Sequence, residues 1–287
     1  MSRTLTAGMT AHLATSSHSR CNMLLLDMTD GTSLAVTDHD RDITYDIGDG
    51  AETYLSGTGI LTSDVAMSIG LDADNYEVSG PIGDTVTLEA LLGGRFNRAR
   101  ARLFQVNWKD LTQGAIKLLA GNVSQVRPEG GKFVFEIRSD CDAFNQTVGR
   151  VIANNCDADY GDARCGATPD SVVGTVTAVT DAMTFTVSYT GSKANDYFNG
   201  GTVTALTGAL AGTNPVEIFD WTVGGAIVLF APLAESPAVG DTFTVKRGCG
   251  KSRADCMARN NILQFRGFPE VPGSDQVLRA TVPGQGE

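Results

Sequence analysis

The sequence predicts a mainly β fold with a minor α+β component. Three observations carry this reading. Glycine is abundant at 33 residues, threonine and valine recur along most of the chain, and short apolar runs are separated by turn signals. A length of 287 residues favours two domains with their own cores. The expected division is an N-terminal helix over 1–20, a β domain over 21–150 and a cysteine-containing domain over 151–287. The last carries a β insertion at about 170–246.

Leu5, Met9 and Leu13 lie four residues apart, which predicts a short amphipathic helix between Leu5 and His18. From Cys21 the pattern changes to strands. NMLLLDM and SLAVT flank Asp30-Gly31 and read as a hairpin. ITYDI and ETYL follow across Gly48-Asp49-Gly50, and VAMSIGL and YEVSG continue the series. TVTLEALLGG reads as a strand running into a helical turn. Arg98, Arg100 and Arg102 alternate before Trp108, so one strand would place them on one face. KLLAGNVSQVRPEGGKFVFEIRS reads as a hairpin turning at Pro128–Gly131. A helix is expected over Asp140–Ile152, with Phe144, Val148 and Val151 on one side. Asn154–Thr168 reads as loop, Ser171–Val245 as β structure opened by a hairpin across Thr180-Asp181-Ala182, and Ser252–Phe265 as helix. Trp108 and Trp221 are expected as core or interface anchors.

The formal charge is −11, which makes wrapping of nucleic acid through counterion release a poor expectation. The charge is uneven. Thirteen acids and one base, Arg41, lie between Asp27 and Asp84, whereas Arg95, Arg98, Arg100, Arg102 and Lys109 form a basic stretch. Lys246, Arg247, Lys251, Arg253, Arg259 and Arg266 form another. Solubility with ordinary surface pairing is one reading, and contact with a partner is the other. No run reaches the roughly 18 apolar residues of a membrane span, and the N-terminus lacks the apolar core of a signal peptide. Folding in the cytosol is therefore expected, which disfavours disulfides.

The cysteines carry the chemistry. Cys156 and Cys165 form a C-x8-C pair, and Cys249 and Cys256 a C-x6-C pair, each in a segment rich in Gly, Asp, Arg and Asn. Glycine beside a thiolate lets main-chain N–H groups approach it, and Arg164, Lys251 and Arg253 would offset some negative charge. Four thiolates suit an iron–sulfur cluster and equally structural zinc. Gaps of eight and six residues are long for zinc knuckles and acceptable around a bulkier cluster. Iron–sulfur, zinc, and disulfides or unbound thiols all remain open on spacing alone. Cys21 and Cys141 read as small buried residues.

Asp38, Asp40 and Asp42 have the spacing of a calcium loop. Ile43 stands where that loop needs glycine and Asp49 where it needs Glu, so a polar turn or subunit contact is expected. His12, His18 and His39 belong to no nucleophile motif, and no phosphate loop or H-E-x-x-H occurs.

The chain resembles the phage tail-tip and baseplate hub proteins, of the lambda minor tail protein L type and the gene transfer agent type. DMTDGTSLAVTDHDRDI, Tyr54–Gly59 and GRFNRARARLFQVNW carry the N-terminal likeness. NCDADYGDARCG and RGCGKSRADCMARNNILQFRGFPEVPG carry the C-terminal one. The likeness covers nearly the whole chain, with Asp170–Lys246 looking more variable. It implies a virion structural protein without enzymatic activity, built from a tail-hub β domain with short helices and a C-terminal four-cysteine cluster domain containing a β insert. It implies a [4Fe–4S] cluster on Cys156, Cys165, Cys249 and Cys256, with zinc as the alternative. It further implies a homotrimer at the tail tip, assembled in the host cytoplasm. This trimer would join a distal tail protein ring to a central tip or fibre (megatron-like) protein, beside a tail-associated peptidase. DNA would pass through its channel without specific binding, and no stable membrane insertion is expected. An acidic Asp27–Asp84 lumen would let DNA slide. A tail-associated cell-wall hydrolase is the rival enzymatic reading.

Overall fold

The computed structural model describes residues 5–57, 59, 61–62 and 75–271. The chain divides into two compact units, Met1–Thr147 with Gly212–Asn214, and Val148–Ala211 with Pro215–Glu287. The fold is mainly β, as the sequence predicts.

The first unit opens with helix α1 (Ala7–Leu13), shorter than expected. The Thr6 hydroxyl accepts the Met9 N–H at its start, and Met9 alone is buried. The sheet then contains β1 (Arg20–Asp27), β2 (Ser33–Thr37), β5 (Leu61–Thr62), β6 (Asn75–Pro81), β7 (Arg100–Asn107), β8 (Ala115–Glu129) and β9 (Lys132–Ser139). Their order is β2-β1-β7-β8-β9-β6-β5, every pairing antiparallel. A separate hairpin joins β3 (Ile43–Asp46) to β4 (Ala51–Tyr54). The run MLLL in β1 is continuous because both faces of the strand are covered. Leu24 and Leu26 join Phe133, Phe135 and Leu103 in one cluster, while Cys21, Met23 and Leu25 join Tyr54, Phe104 and Val106 in the other. The β8–β9 turn consists of Gly130 and Gly131, with φ of 57° and 82°, and Glu129 faces Lys132 across it. Two consecutive residues at positive φ match the right-handed twist of a hairpin, and glycine alone adopts them without strain.

Four sequence expectations are corrected here. TVTLEALLGG contains no strand: β6 ends at Pro81, Gly83 and Val86 close a turn, and α2 (Leu88–Leu92) starts on Thr87, whose hydroxyl accepts the Ala90 N–H. Arg98 does not share the strand face of Arg100 and Arg102. It lies before β7 with φ of 62°, its N–H on the Val123 carbonyl. The helix over Asp140–Ile152 is reduced to a 3₁₀ stretch at Asp140–Asn145, with no side-chain cap from Ser139. Phe144, Val148 and Val151 are 76 %, 95 % and 82 % exposed, so no apolar surface holds a helix there. Gly149 and the β-branched Val148, Val151 and Ile152 also disfavour one. The helix over Ser252–Phe265 is split into α3 (Arg253–Ala258) and a 3₁₀ turn at Ile262–Gln264, separated by Asn260 at φ 53°. VAMSIGL lies outside the described residues.

In the second unit six strands close a barrel: β10 (Ser171–Val179), β11 (Thr184–Tyr189), β12 (Thr202–Ala205), β13 (Val216–Thr222), β14 (Ala226–Leu229) and β15 (Thr242–Lys246). The order is β10-β11-β14-β13-β12-β15. TVTA, AIVL and TFTVK alternate buried apolar with less buried residues, the period-2 signature of a filled barrel. Trp221, Phe185, Phe243, Val187, Ile218 and Ile227 fill it, with the Trp221 ring against Tyr189 and Phe198. Trp108, by contrast, is 40 % exposed.

Burial decides the expected effect of truncation. Trp221→Ala should destabilise the barrel unit by about 3–5 kcal/mol, whereas Phe144→Ala should stay within roughly 0.5 kcal/mol of the parent. Denaturant unfolding followed by near-UV circular dichroism checks both; a large loss in Phe144→Ala would contradict the exposed placement.

Candidate functional site: a four-cysteine knot at one end of the barrel

Barrel closure brings the cysteine loops together. β10 is the first strand and β15 the last, and they pair antiparallel with Ser171 opposite Lys246. The segment before β10 and the segment after β15 therefore leave the barrel side by side. Arg247 donates its N–H to the Asp170 carbonyl at 2.8 Å, extending the pairing beyond the strands. Gly248 follows, packed backbone on backbone. A Cβ there would meet the Gly200 carbonyl oxygen at 2.0 Å, and one on Gly201 would meet the Lys246 oxygen at 2.1 Å. Only glycine allows this approach immediately before Cys249.

The loops are then stitched to each other. The Cys156 N–H donates to the Lys251 carbonyl at 2.8 Å, and Lys251 Nζ donates to the Ala158 carbonyl. Asn261 Nδ2 donates to the Cys165 carbonyl at 2.8 Å and stands 3.6 Å from its sulfur. Cys256 Sγ donates to the Asn261 carbonyl at 3.1 Å. Arg259 reaches three points: the Gly248 carbonyl at 2.9 Å, the Tyr160 hydroxyl at 3.0 Å and Asp255 at 3.3 Å, with its guanidinium 4.8 Å from the Tyr160 ring centroid. Asp255 also accepts the Gly250 N–H at 2.6 Å and the Cys249 thiol at 3.3 Å. Within the first loop, Asp162 accepts the Cys165 N–H at 2.6 Å and the Asp159 N–H at 3.2 Å. The Cys165 N–H stabilises the Asp162 carboxylate and lowers its pKa.

All four predicted cysteines are thus brought to one place. Each is partly buried and none is in a disulfide. Burial raises the Cys256 thiol pKa, and Cys156, Cys249 and Cys165 raise it further through their own charge. Burial, the thiol's bond to Asp255 and that carboxylate's charge raise Cys249, against the Lys251 N–H and Arg259. Among the described residues, however, no three His, Cys, Asp or Glu side chains form a group that would hold a metal ion. The sulfurs share one electrostatic neighbourhood without closing on a single point.

Sequence reasoning missed Asn261, Asp255 and Tyr160. Asn261 and Asp255 flank Cys256 within a few residues, and that proximity was the available signal. Of the three cations expected to offset thiolate charge, Arg164 pairs with Asp157 and Asp162, and Arg253 with Glu270. Lys251 serves the loop backbone and Asp159, and Arg259 takes the enclosed position.

Cys21 and Cys141 stay outside the knot: both lie in the first unit, with Cys21 buried in its core and pushed up to about 11 by that burial. The Asp38–Asp42 turn is structural. Asp38 accepts the Asn22 N–H and side-chain amide, each at 2.8 Å, Asp42 accepts the Ser56 N–H at 2.7 Å, and Asp40 faces His39. Among the described residues, the acidic and basic stretches meet at three aspartates, while Arg100 pairs outside the acidic one. Arg102 meets Asp27 and Asp49, Arg95 meets Asp30, and Arg100 meets Asp140.

The fold is that of a particle component. The chain is similar to a chain of the virion of a native gene transfer agent particle, with a TM-score of 0.81 and 26 % identity, covering 98 % of this chain and 97 % of that one. It is a structural protein of a phage-type tail. A family model described as "Baseplate hub protein, N-terminal attachment domain" matches residues 6–168, more than half of the chain, and the chain belongs to that family. A second model, "Phage conserved hypothetical protein BR0599", matches residues 196–275. No curated protein matches. The family and the particle-borne relative place the chain at a tail tip, in association with other tail proteins.

The junction beneath the knot has a pH signature. Asp170 accepts from Lys193 and, at 2.7 Å, from the Tyr197 hydroxyl, and these bonds lower its pKa. A carboxylate depressed on folding adds stability above its unfolded value of about 3.9, and that stability is lost as pH falls through the lower folded value. Asp170→Asn should therefore flatten the acid limb of the barrel unit's stability curve and leave the neutral limb's slope unchanged, read from denaturation midpoints between about pH 2 and 7.

Proposed function

We propose that this chain is the hub subunit of a phage-type tail tip, and that Cys156, Cys165, Cys249 and Cys256 bind a [4Fe–4S] cluster. The observation carrying the cluster is the convergence of two loops from opposite flanks of the barrel, stitched together by the Cys156–Lys251 main-chain bond and by Asn261, which bonds both Cys165 and Cys256. The residues present fit such a group. The donor set is four thiols, the surrounding main chain is glycine-rich, and Arg259 stands beside the second pair. When bound, the cluster supplies iron–thiolate bonds that cross-link the two loops, and their free energy adds to folding. The chain's part is to deliver the sulfurs and give up their protons. No catalytic cycle is proposed. Assembly would take place in the host cytoplasm, where thiols stay reduced.

In the particle, the subunit would form a homotrimer around the DNA channel and join a distal tail protein ring to a central tip or fibre protein. Family membership and the particle-borne relative support this reading. Pairing of Asp30 with Arg95, and of Asp27 and Asp49 with Arg102, takes up part of the negative charge that composition offers to a lumen. Zinc is the second reading, because the thiol set is equally complete for it.

Anaerobic isolation of the full chain is expected to give a brown protein containing iron and acid-labile sulfide. Serine in place of any one of the four cysteines is expected to bleach the colour and lower the soluble yield. Zinc without iron would support the second reading, and a colourless, metal-free, fully stable protein would remove both. Light scattering with the distal tail protein present should give three copies of this chain per complex; a monomer there would argue against the hub role.

A further inference from the structure

We infer that Asn261 is a positioning residue for the cluster ligands, donating an N–H···S hydrogen bond to Cys165 and thereby raising the reduction potential of the bound cluster. The inference rests on the cluster reading above. Asn260, at φ 53°, turns the chain after α3 and aims Asn261 back into the knot. The Asn261 N–H donates to the Cys256 carbonyl at 3.0 Å, and its own carbonyl accepts from the Cys256 thiol at 3.1 Å. Its side-chain amide is fixed by the Cys165 carbonyl at 2.8 Å, which holds the same nitrogen 3.6 Å from the Cys165 sulfur. One residue thus touches a ligand from each cysteine pair, across 96 residues of sequence.

The two sulfur contacts respond oppositely to metal. On ligation Cys256 loses its proton and can no longer donate to the Asn261 carbonyl. Cys165 becomes a thiolate, and the N–H···S contact becomes charge-assisted and strengthens. A donor on a ligand sulfur favours the more negative, reduced state of a cluster, so it raises the potential. The Lys251 main-chain N–H serves Cys249 in the same sense. That donor belongs to the backbone, whereas the Asn261 amide is removed by a single substitution.

The test uses the full chain isolated anaerobically with its iron. Asn261→Ala and the isosteric Asn261→Asp are compared with the parent by spectroelectrochemistry. The midpoint is expected to move to more negative potential in both, and further in the Asp variant, which adds charge as well as losing the donor. In the parent, exchange into D2O should shift the iron–thiolate stretching bands in resonance Raman spectra, and the shift should shrink in Asn261→Ala. Unchanged potentials in variants that retain the cluster would overturn this inference and leave the cluster reading standing. Should Asn261→Ala lose its iron, the Asp variant and the isotope shift decide; an unaltered Asp potential or no shift in the parent would overturn the inference. A parent protein without iron would remove the cluster reading itself.

Discussion

The antiparallel pairing of Ser171 with Lys246 is the constraint on which the four-cysteine knot depends. A barrel whose first and last strands are neighbours delivers both of its flanking loops to one end. The entropy of closing so long a segment is met by the barrel core, with Trp221, Phe243 and Val245 fully buried. The knot itself then needs only short-range order. Main-chain bonds such as Cys156 to Lys251, and the close approach of Gly248 to Gly200, set the loops against each other before any metal is considered.

Polar contacts in the knot are built in layers. Arg259 ties Tyr160 of the first loop to Gly248 and Asp255 of the second, so its charge is taken up by structure as well as being available to thiolates. Asp255 is depressed despite its burial because the Gly250 N–H, the Cys249 thiol and Arg259 all stabilise its charged form. The same economy governs the first unit, where arginines of β7 face aspartates of β1 and its surroundings. Asp27 lies opposite Arg100 in register while its carboxylate meets Arg102. Asp27, Asp30 and Asp49 of the acidic segment are thereby neutralised within the unit.

Hairpins were legible because their signals are local. Asp30-Gly31, Gly48-Asp49-Gly50 and Gly130-Gly131 mark turns by backbone chemistry alone, and the flanking apolar runs do the rest. Over Asp140–Ile152 the apolar spacing makes no full helix because there is no surface for it to cover; Val148 is almost wholly exposed. Alternation of Arg98 with Arg100 and Arg102 does not reveal that Val123 captures the Arg98 N–H outside the strand. The continuous MLLL run of β1 was readable as apolar, but its burial on both faces follows from the β3–β4 hairpin covering one side.

By itself the sequence determined the β character, the principal turns, the four cysteines and the family they resemble, because these depend on residue type, periodicity and spacing. Tertiary structure alone decided that the cysteine pairs meet, that Cys21 and Cys141 do not join them, and that Asn261, Asp255, Arg259 and Tyr160 surround them. Those facts depend on which strands become neighbours when a barrel closes, and no local pattern encodes a hydrogen bond between Asn261 and Cys165, 96 residues apart.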